Sequence, residues 1–254
     1  MEFARYPSLA GRVVLITGGA SGIGADMVRA FAANGCRVAF IDIQPEPAAA
    51  LVAECAASGG EARFYPCDLR DIGALGVSIA RIREDLGPVS VLLNNAANDD
   101  RHDADAVTLE YWDNCQAVNL RHQFFAAQQV RAHMREFGRG SIINMSSIAW
   151  RGGGGDMSVY ATAKAAVIGL TRSLGRAFGD DNIRVNAIEP GAVITERQRQ
   201  LWFTRQADID VMVSRQTLKR VLLGDEIART ALFLASDDSA MITRQSIVVD
   251  AGLL

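Results

Sequence analysis

Seven short runs rich in aliphatic and β-branched residues lie along the chain, and a longer amphipathic stretch follows nearly every one. This alternation limits the fold more than any other feature. Arg12 to Thr17, Arg37 to Ile41, Ala62 to Tyr65, Val89 to Leu93, Ser141 to Met145, Ile183 to Ala187 and Ser246 to Val249 read as strands. Most are continuous apolar runs, as strands become when both faces of a sheet are covered. The segments between them, Ala48 to Ala57 and Ile72 to Leu86 among them, carry apolar residues every three or four positions. The order predicts an α/β fold, a doubly wound parallel sheet with helices on both faces. The chain has 254 residues, 49% of them apolar, enough for one such core without disulfides or metals. No repeat or low-complexity linker divides it, so residues 1–254 read as a single domain.

Other classes are disfavoured by charge and composition. The net charge of −3 leaves no basic field for nucleic acid or an anionic membrane. No apolar run approaches the length of a membrane span, and residues 1–12 lack a signal-like core, so a cytoplasmic location is expected. Cys36, Cys55, Cys67 and Cys115 form no CxxC pair and the histidines no HxxxH spacing, so buried free thiols and no metal are expected. Pro190 to Gly224 is too long for an ordinary connection and carries Trp202, Phe203 and several arginines. It reads as a segment of short helices covering a site.

The first strand ends in Thr17-Gly18-Gly19-Ala20-Ser21-Gly22-Ile23-Gly24 and feeds a helix beginning near Ala25. Glycines there let the backbone turn sharply and approach a pyrophosphate, whose charge would sit at the positive helix N-terminus. Glycine clusters also make ordinary tight turns, but the next strand ends in Asp42, 42 − 24 = 18 residues past the last glycine. That is close to the offset of about 20 for a ribose-binding acid. A carboxylate there would accept from ribose hydroxyls and repel a 2′-phosphate, and no Arg or Lys lies between Thr17 and Gly24, so NAD is expected over NADP.

Tyr160 and Lys164 stand at i and i+4 in a segment of helical periodicity, one turn apart on one face. A phenol with an ordinary pKa near 10 is a poor base at neutral pH, and a neighbouring ammonium favours the phenolate. Bringing it to neutrality takes about 4 kcal/mol, which the lysine and a positive nicotinamide ring together could supply. Alone, such a pair is equally a solvated helix face.

In order along the chain stand TGGASGIG, Asp68 in CDLRD, Asn94-Asn95-Ala96-Ala97, Asn119 in AVNL, Ser147 in NMSSIAW, YATAK and Pro190-Gly191. Together they resemble the short-chain dehydrogenase/reductase family over the whole chain. The resemblance implies a Rossmann fold and a catalytic tetrad of Asn119, Ser147, Tyr160 and Lys164. Ser147 matches rather than Ser146, since 160 − 147 = 13 as in the family pattern. Tyr160 would take the hydroxyl proton, Ser147 would hold the substrate oxygen, Lys164 would tune Tyr160 and contact the nicotinamide ribose, and Asn119 would anchor a water beside Lys164. The cofactor would meet Gly18, Ser21, Gly22, Ile23, Gly24 and Asp42, with Asp68 and Leu69 beside adenine and Asn95 and Ala96 near its ribose. Pro190, Gly191, Ile194 and Thr195 would lie by the nicotinamide. Two positions depart from the pattern: Ala97 and Ala251 stand where the family usually has glycine.

Three polar stretches, Asn98 to His102, Trp150-Arg151 and Arg197 to Phe203, suit a hydroxyl-rich ligand that needs many hydrogen bonds and one flat apolar face. They are also similar to a subgroup of bacterial NAD-dependent aldose 1-dehydrogenases acting on D-xylose. That likeness implies oxidation of an anomeric hydroxyl to the aldonolactone, a pentose being favoured. Asn98, Ser147, Trp150, Tyr160, Glu189 and Trp202 are the candidate sugar contacts. A polyol, another sugar or a 3-oxoacyl thioester is the competing substrate class, and Trp202 could instead be a packing anchor. The family further implies a homotetramer, built partly from two long helices around Tyr111 to Phe137 and Ser158 to Phe178.

Overall fold

A computed structural model describes residues 3–254. Its first half runs β1 (Val13–Thr17), α1 (Gly22–Ala33), β2 (Arg37–Asp42), α2 (Pro45–Ala57), β3 (Glu61–Pro66), α3 (Ile72–Leu86) and β4 (Val89–Asn94). Then come α4 (Leu109–Gln116), a π-helical turn (Ala117–Arg121), α5 (His122–Phe137), β5 (Gly140–Met145), the short α6 (Ala149–Gly152), α7 (Ser158–Ala177) and β6 (Ile183–Pro190). The chain closes with α8 (Glu196–Leu201), α9 (Gln206–Arg215), α10 (Gly224–Ala235) and β7 (Ser246–Val249). The seven strands are those expected, with ends moved by one to three residues.

All strand pairs are parallel, in the order β3-β2-β1-β4-β5-β6-β7. Successive side chains of β1 leave opposite faces. Val14 and Ile16 join a core with Met27, Phe31, Ile227 and Leu232 from α1 and α10. Val13 and Leu15 join Leu75, Ile79, Val130 and Met134 from α3 and α5. Burying such a side chain contributes about 1.5–3 kcal/mol, so the helices are held by their apolar stripes rather than by helix propensity. Strand order reverses between β1 and β4, where the diverging loops open a crevice at the carboxyl ends of the strands.

Two expectations change in detail. The long helix around Tyr111 to Phe137 is interrupted, because the Asn119 amide bonds Cys115 O and the backbone of Asn98 and one extra residue is accommodated in the π-turn. Within 190–224, α8 and α9 are tied at their base by a Val193–Leu222 bridge and by Ile194 N–H donating to Leu222 O at 3.1 Å. All four cysteines are buried and free, and among the described residues no helix is long and apolar enough to cross a membrane.

Candidate active site

The crevice is built by fastening the loop after β4 to the loop after β1. The Thr17 hydroxyl accepts from the backbone N–H groups of Asn95 and Ala96, at 2.9 and 3.1 Å. The Asn95 amide returns the connection by donating to the carbonyls of Thr17 and Gly18, at 3.0 and 2.9 Å. Glycine is required at both ends of the first loop. A Cβ on Gly18, which has φ +66°, would lie 2.7 Å from Ala96 Cα, and one on Gly24 would lie 1.8 Å from Gly18 O. Ser21, the N-cap of α1, makes no side-chain cap bond, so the first N–H groups of that helix face the crevice without a side-chain acceptor. A hollow of ≈ 340 Å³ lies there, lined by Ser21, Gly22, Ile194 and Thr195 with neighbours from the start of α10. Residues far apart in sequence thus share one cradle, and its backbone donors suit a pyrophosphate.

Asp42 ends β2 beside this loop. Its carboxylate accepts from the N–H groups of Ala20 (2.9 Å), Ile43 (2.7 Å) and Gln44 (3.1 Å), which fixes both the loop and the acid. Asp68, past β3, is paired with Arg70 at 2.6 Å, and this hydrogen-bonded pair holds its carboxyl below the usual range. Leu69 packs partly buried against the core beneath. Gly191, at the end of β6, donates to Val249 O at 2.9 Å, and the Thr195 hydroxyl caps α8 by accepting from Gln198 N–H.

Across the crevice, α7 carries Tyr160 and Lys164, both buried. Lys164 Nζ donates to Met145 O at 2.9 Å and lies 5.4 Å from the centre of the Tyr160 ring. Burial pushes the lysine down to about 8, so its ammonium persists at neutral pH. Burial likewise pushes the Tyr160 phenol up, and the nearby Asp99 carboxylate adds to this, while the Ser147 hydroxyl acts in the opposite sense by hydrogen bonding. The protein alone therefore keeps Tyr160 protonated, and Lys164 by itself does not lower it as the spacing had suggested. Ser147 follows β5 and accepts from Ala149 N–H at 3.1 Å, whereas Ser146 donates to Lys164 O at 2.7 Å and only braces α7.

Asn119 sits fully buried in the π-turn. Its Oδ1 accepts from Asn98 N–H at 2.9 Å, and its Nδ2 donates to Asn98 O and Cys115 O, both at 3.0 Å. A π-turn is often found at functional sites, and here it aims one amide at the loop after β4.

That loop and α8 form the outer wall. Arg197 donates to Asn98 Oδ1 at 2.8 Å and to Asp100 at 3.0 Å, and Gln198 donates to Asp99 at 2.7 Å. Trp202 lies under the Arg101 guanidinium, 4.6 Å from Cζ to a ring centre, and its buried indole N–H has no partner among the described residues. Trp150 and Arg151 are anchored from below by Glu189. Its carboxylate accepts from Trp150 Nε1 (2.8 Å), from Arg151 Nε (2.7 Å) and Nη2 (2.9 Å), and from the Ser246 hydroxyl. Glu189 is completely buried, and its oxygens are taken up by these donors. It is better suited to holding Trp150 than to touching a ligand, a correction to its expected direct contact. An acid inside an apolar strand run was the visible signal; its partners at 150, 151 and 246 were not. The two departures also resolve: Ala97 has no positive φ, whereas Ala251 takes the left-handed region at φ 59°.

Comparison with known proteins adds to this geometry. A family model described as enoyl-(acyl carrier protein) reductase matches residues 18–254. The chain is 50% identical over 251 residues to a probable galactose dehydrogenase of Rhizobium meliloti (strain 1021), covering 98% of both. It is 44% identical over 252 residues to a D-xylose 1-dehydrogenase of Caulobacter vibrioides, covering 99% of both. Among solved structures it resembles a short-chain alcohol dehydrogenase from Sinorhizobium meliloti 1021, described as putative, with TM-score 0.92, 30% identity and 97% and 98% coverage of the two chains. An actinorhodin polyketide ketoreductase with NADPH gives TM-score 0.88 at 29% identity, with 95% and 97% coverage.

Proposed function

The chain belongs to the short-chain dehydrogenase/reductase family and is an oxidoreductase, and from that premise we propose that it oxidises the anomeric hydroxyl of an aldose to the aldonolactone with NAD, a pentose such as D-xylose being the favoured substrate. The observation that carries this reading is the tyrosine–lysine pair opening onto a wall of hydrogen-bonding side chains and indoles, Asp99, Arg197, Gln198, Trp150 and Trp202. A long apolar ligand would find few partners there. The names of the galactose and D-xylose relatives support the same substrate class.

In this reading the N–H groups at Ser21 to Gly24 hold the pyrophosphate, Gly18 lets the backbone come close, and Asp42 takes the adenosine ribose hydroxyls. Asp68, Leu69, Asn95 and Ala96 border the adenosine, and Pro190, Gly191, Ile194 and Thr195 the nicotinamide. Bound NAD supplies acceptance of a hydride from C1. Ser147 and Tyr160 hold the C1 hydroxyl, and Tyr160 takes its proton. Lys164, kept charged beside the ring, favours the phenolate, and its contact with the nicotinamide ribose belongs to the same proposal. Asn119 keeps the Asn98 loop against the site and anchors water near Lys164. Asn98, Trp150 and Trp202 meet the sugar, with the 190–224 segment covering it, and Glu189 holds Trp150 in place.

We further propose a cytoplasmic homotetramer. Leu109 (77% exposed), Trp112 and Phe124 leave an apolar face on α4 and α5 for partner subunits.

The test is formation of reduced nicotinamide by the purified protein with D-xylose, D-galactose, L-arabinose and polyols, using NAD and NADP in parallel. Turnover of an aldose with NAD, nearly abolished in Tyr160→Phe, is expected. Turnover of polyols or thioesters but no aldose overturns the substrate, and a preference for NADP overturns the cofactor.

A further inference from the structure

On the outer surface, away from the crevice, Arg172, Ser173, Arg176 and Arg244 line a second hollow of ≈ 340 Å³. Most of the chain's arginines reach a carboxylate within 4 Å, but these three guanidinium groups reach none among the described residues. Three converging cations without a counter-charge repel one another, and an arrangement of that kind is stabilised by an anion. The carbonyl end of α7 is favourable for Arg176 in its last turn, but it does not account for Arg244, which lies outside the helix.

Arg244 is held there at a conformational cost. Its backbone has φ 62°, a region that a side chain rarely adopts. Its Nε donates to Arg172 O at 3.2 Å, which turns the guanidinium along the helix. Gly175 makes this approach possible, since a Cβ there would lie 2.6 Å from Arg244 Cγ. A helical glycine, a strained arginine and two arginines one turn apart thus converge on one hollow.

We propose that this hollow is a binding site for a tetrahedral dianion, phosphate or the phosphate group of a small monoester. Three planar forks can surround several oxygens at once, which matches a phosphate better than a single carboxylate. The volume leaves room for a small organic group on the phosphate. The site is separate from the substrate crevice, although α7 also carries Lys164. The eight residues from Lys164 to Arg172 span about 12 Å along the axis.

The experiment is calorimetric titration of the NADH-saturated protein with inorganic phosphate and, separately, glycerol 3-phosphate, at constant ionic strength. Saturation fills the cofactor's own phosphate seat. One site per chain is expected, weakened at least about tenfold in Arg244→Gly, which suits the left-handed backbone, and in Arg172→Gln/Arg176→Gln. Sugar turnover should stay unchanged in both variants. Tighter binding of the monoester would identify an organic source, and equal affinity the free ion. Absence of binding by the wild type, or equal affinity in wild type and both variants, would overturn the proposal. A change of mass in sedimentation for either variant would overturn it too, because the arginines would then be covered by a second copy.

Discussion

Lys164 holds its ammonium 5.4 Å from the centre of the Tyr160 ring, with Nζ engaged on a strand carbonyl rather than on the phenol. The lysine is carried charged in a buried place, and its folded value of about 8 lies below the ordinary 10.5. Between those two values the unfolded chain binds more protons than the folded one. Stability therefore rises with pH across that window, by up to about 1.4 kcal/mol per pH unit. Lys164→Met should remove the rise. Chemical denaturation of both proteins from pH 8 to about pH 10.5 measures it, and parallel profiles would mean that the ammonium is not penalised by burial.

Glu189 is the anchor most sensitive to a small change. Burial alone would raise its carboxyl, but hydrogen bonds from Arg151, Ser246 and Trp150 prevail and hold it below the ordinary 4.5. Its contribution is present above that value and is lost as pH falls through the depressed folded one. Glu189→Gln should cost ~3 kcal/mol in denaturant unfolding at neutral pH, because Arg151 keeps its charge above a neutral amide. It should also raise KM for sugar while KM for the cofactor holds, since Trp150 loses its anchor. Equal rises in both would assign Glu189 to general stability alone.

Asp42 holds three backbone N–H groups as well as its expected ribose contact. Asp42→Ala should therefore do two separable things. It should lower the ratio of kcat/KM for NAD over NADP at least about tenfold, by removing the charge that repels a 2′-phosphate. It should also destabilise the fold by about 1–3 kcal/mol, because the buried Ala20 N–H loses its acceptor. Steady-state kinetics with both cofactors and a melting curve separate the two effects. An unaltered cofactor ratio would place NAD selection elsewhere.

Trp202 offers a flat face and an unpartnered N–H at the mouth. Trp202→Ala should raise KM for an aldose about tenfold, equivalent to about 1.4 kcal/mol of lost contact, with cofactor affinity held. Calorimetric titration with NADH checks the second half. Loss of both affinities together would make the indole a packing anchor for α8 under Arg101.

The sheet was legible because its signal is local. Each strand is an apolar run complete in itself, and the parallel order follows from the segments between. The glycine loop and Asp42 were legible for the same reason, with fixed offsets in one βαβ unit. What escaped depends on distant partners. The π-turn at Asn119 is set by Asn98, twenty-one residues earlier, and an apolar period of three to four tolerates one inserted residue without a visible break. Glu189 drew attention as an acid in a strand, but only its Trp150, Arg151 and Ser246 neighbours turn it from a ligand contact into an anchor. The expectation for Tyr160 erred by counting the lysine and leaving out desolvation and Asp99, both of which act against the phenolate.

The π-turn also bears on how such a chain can vary. Each residue advances a helix by about 100°, so removing one between Cys115 and His122 would wind α4 and α5 into a single regular cylinder. Asn119 would swing away from Asn98, whose side chain also receives Arg197, and the outer wall would lose its inner support. Replacing residues along this helix perturbs one contact at a time, whereas shortening it by one unit disconnects the wall. Length, more than identity, is therefore the quantity under constraint between residues 115 and 122.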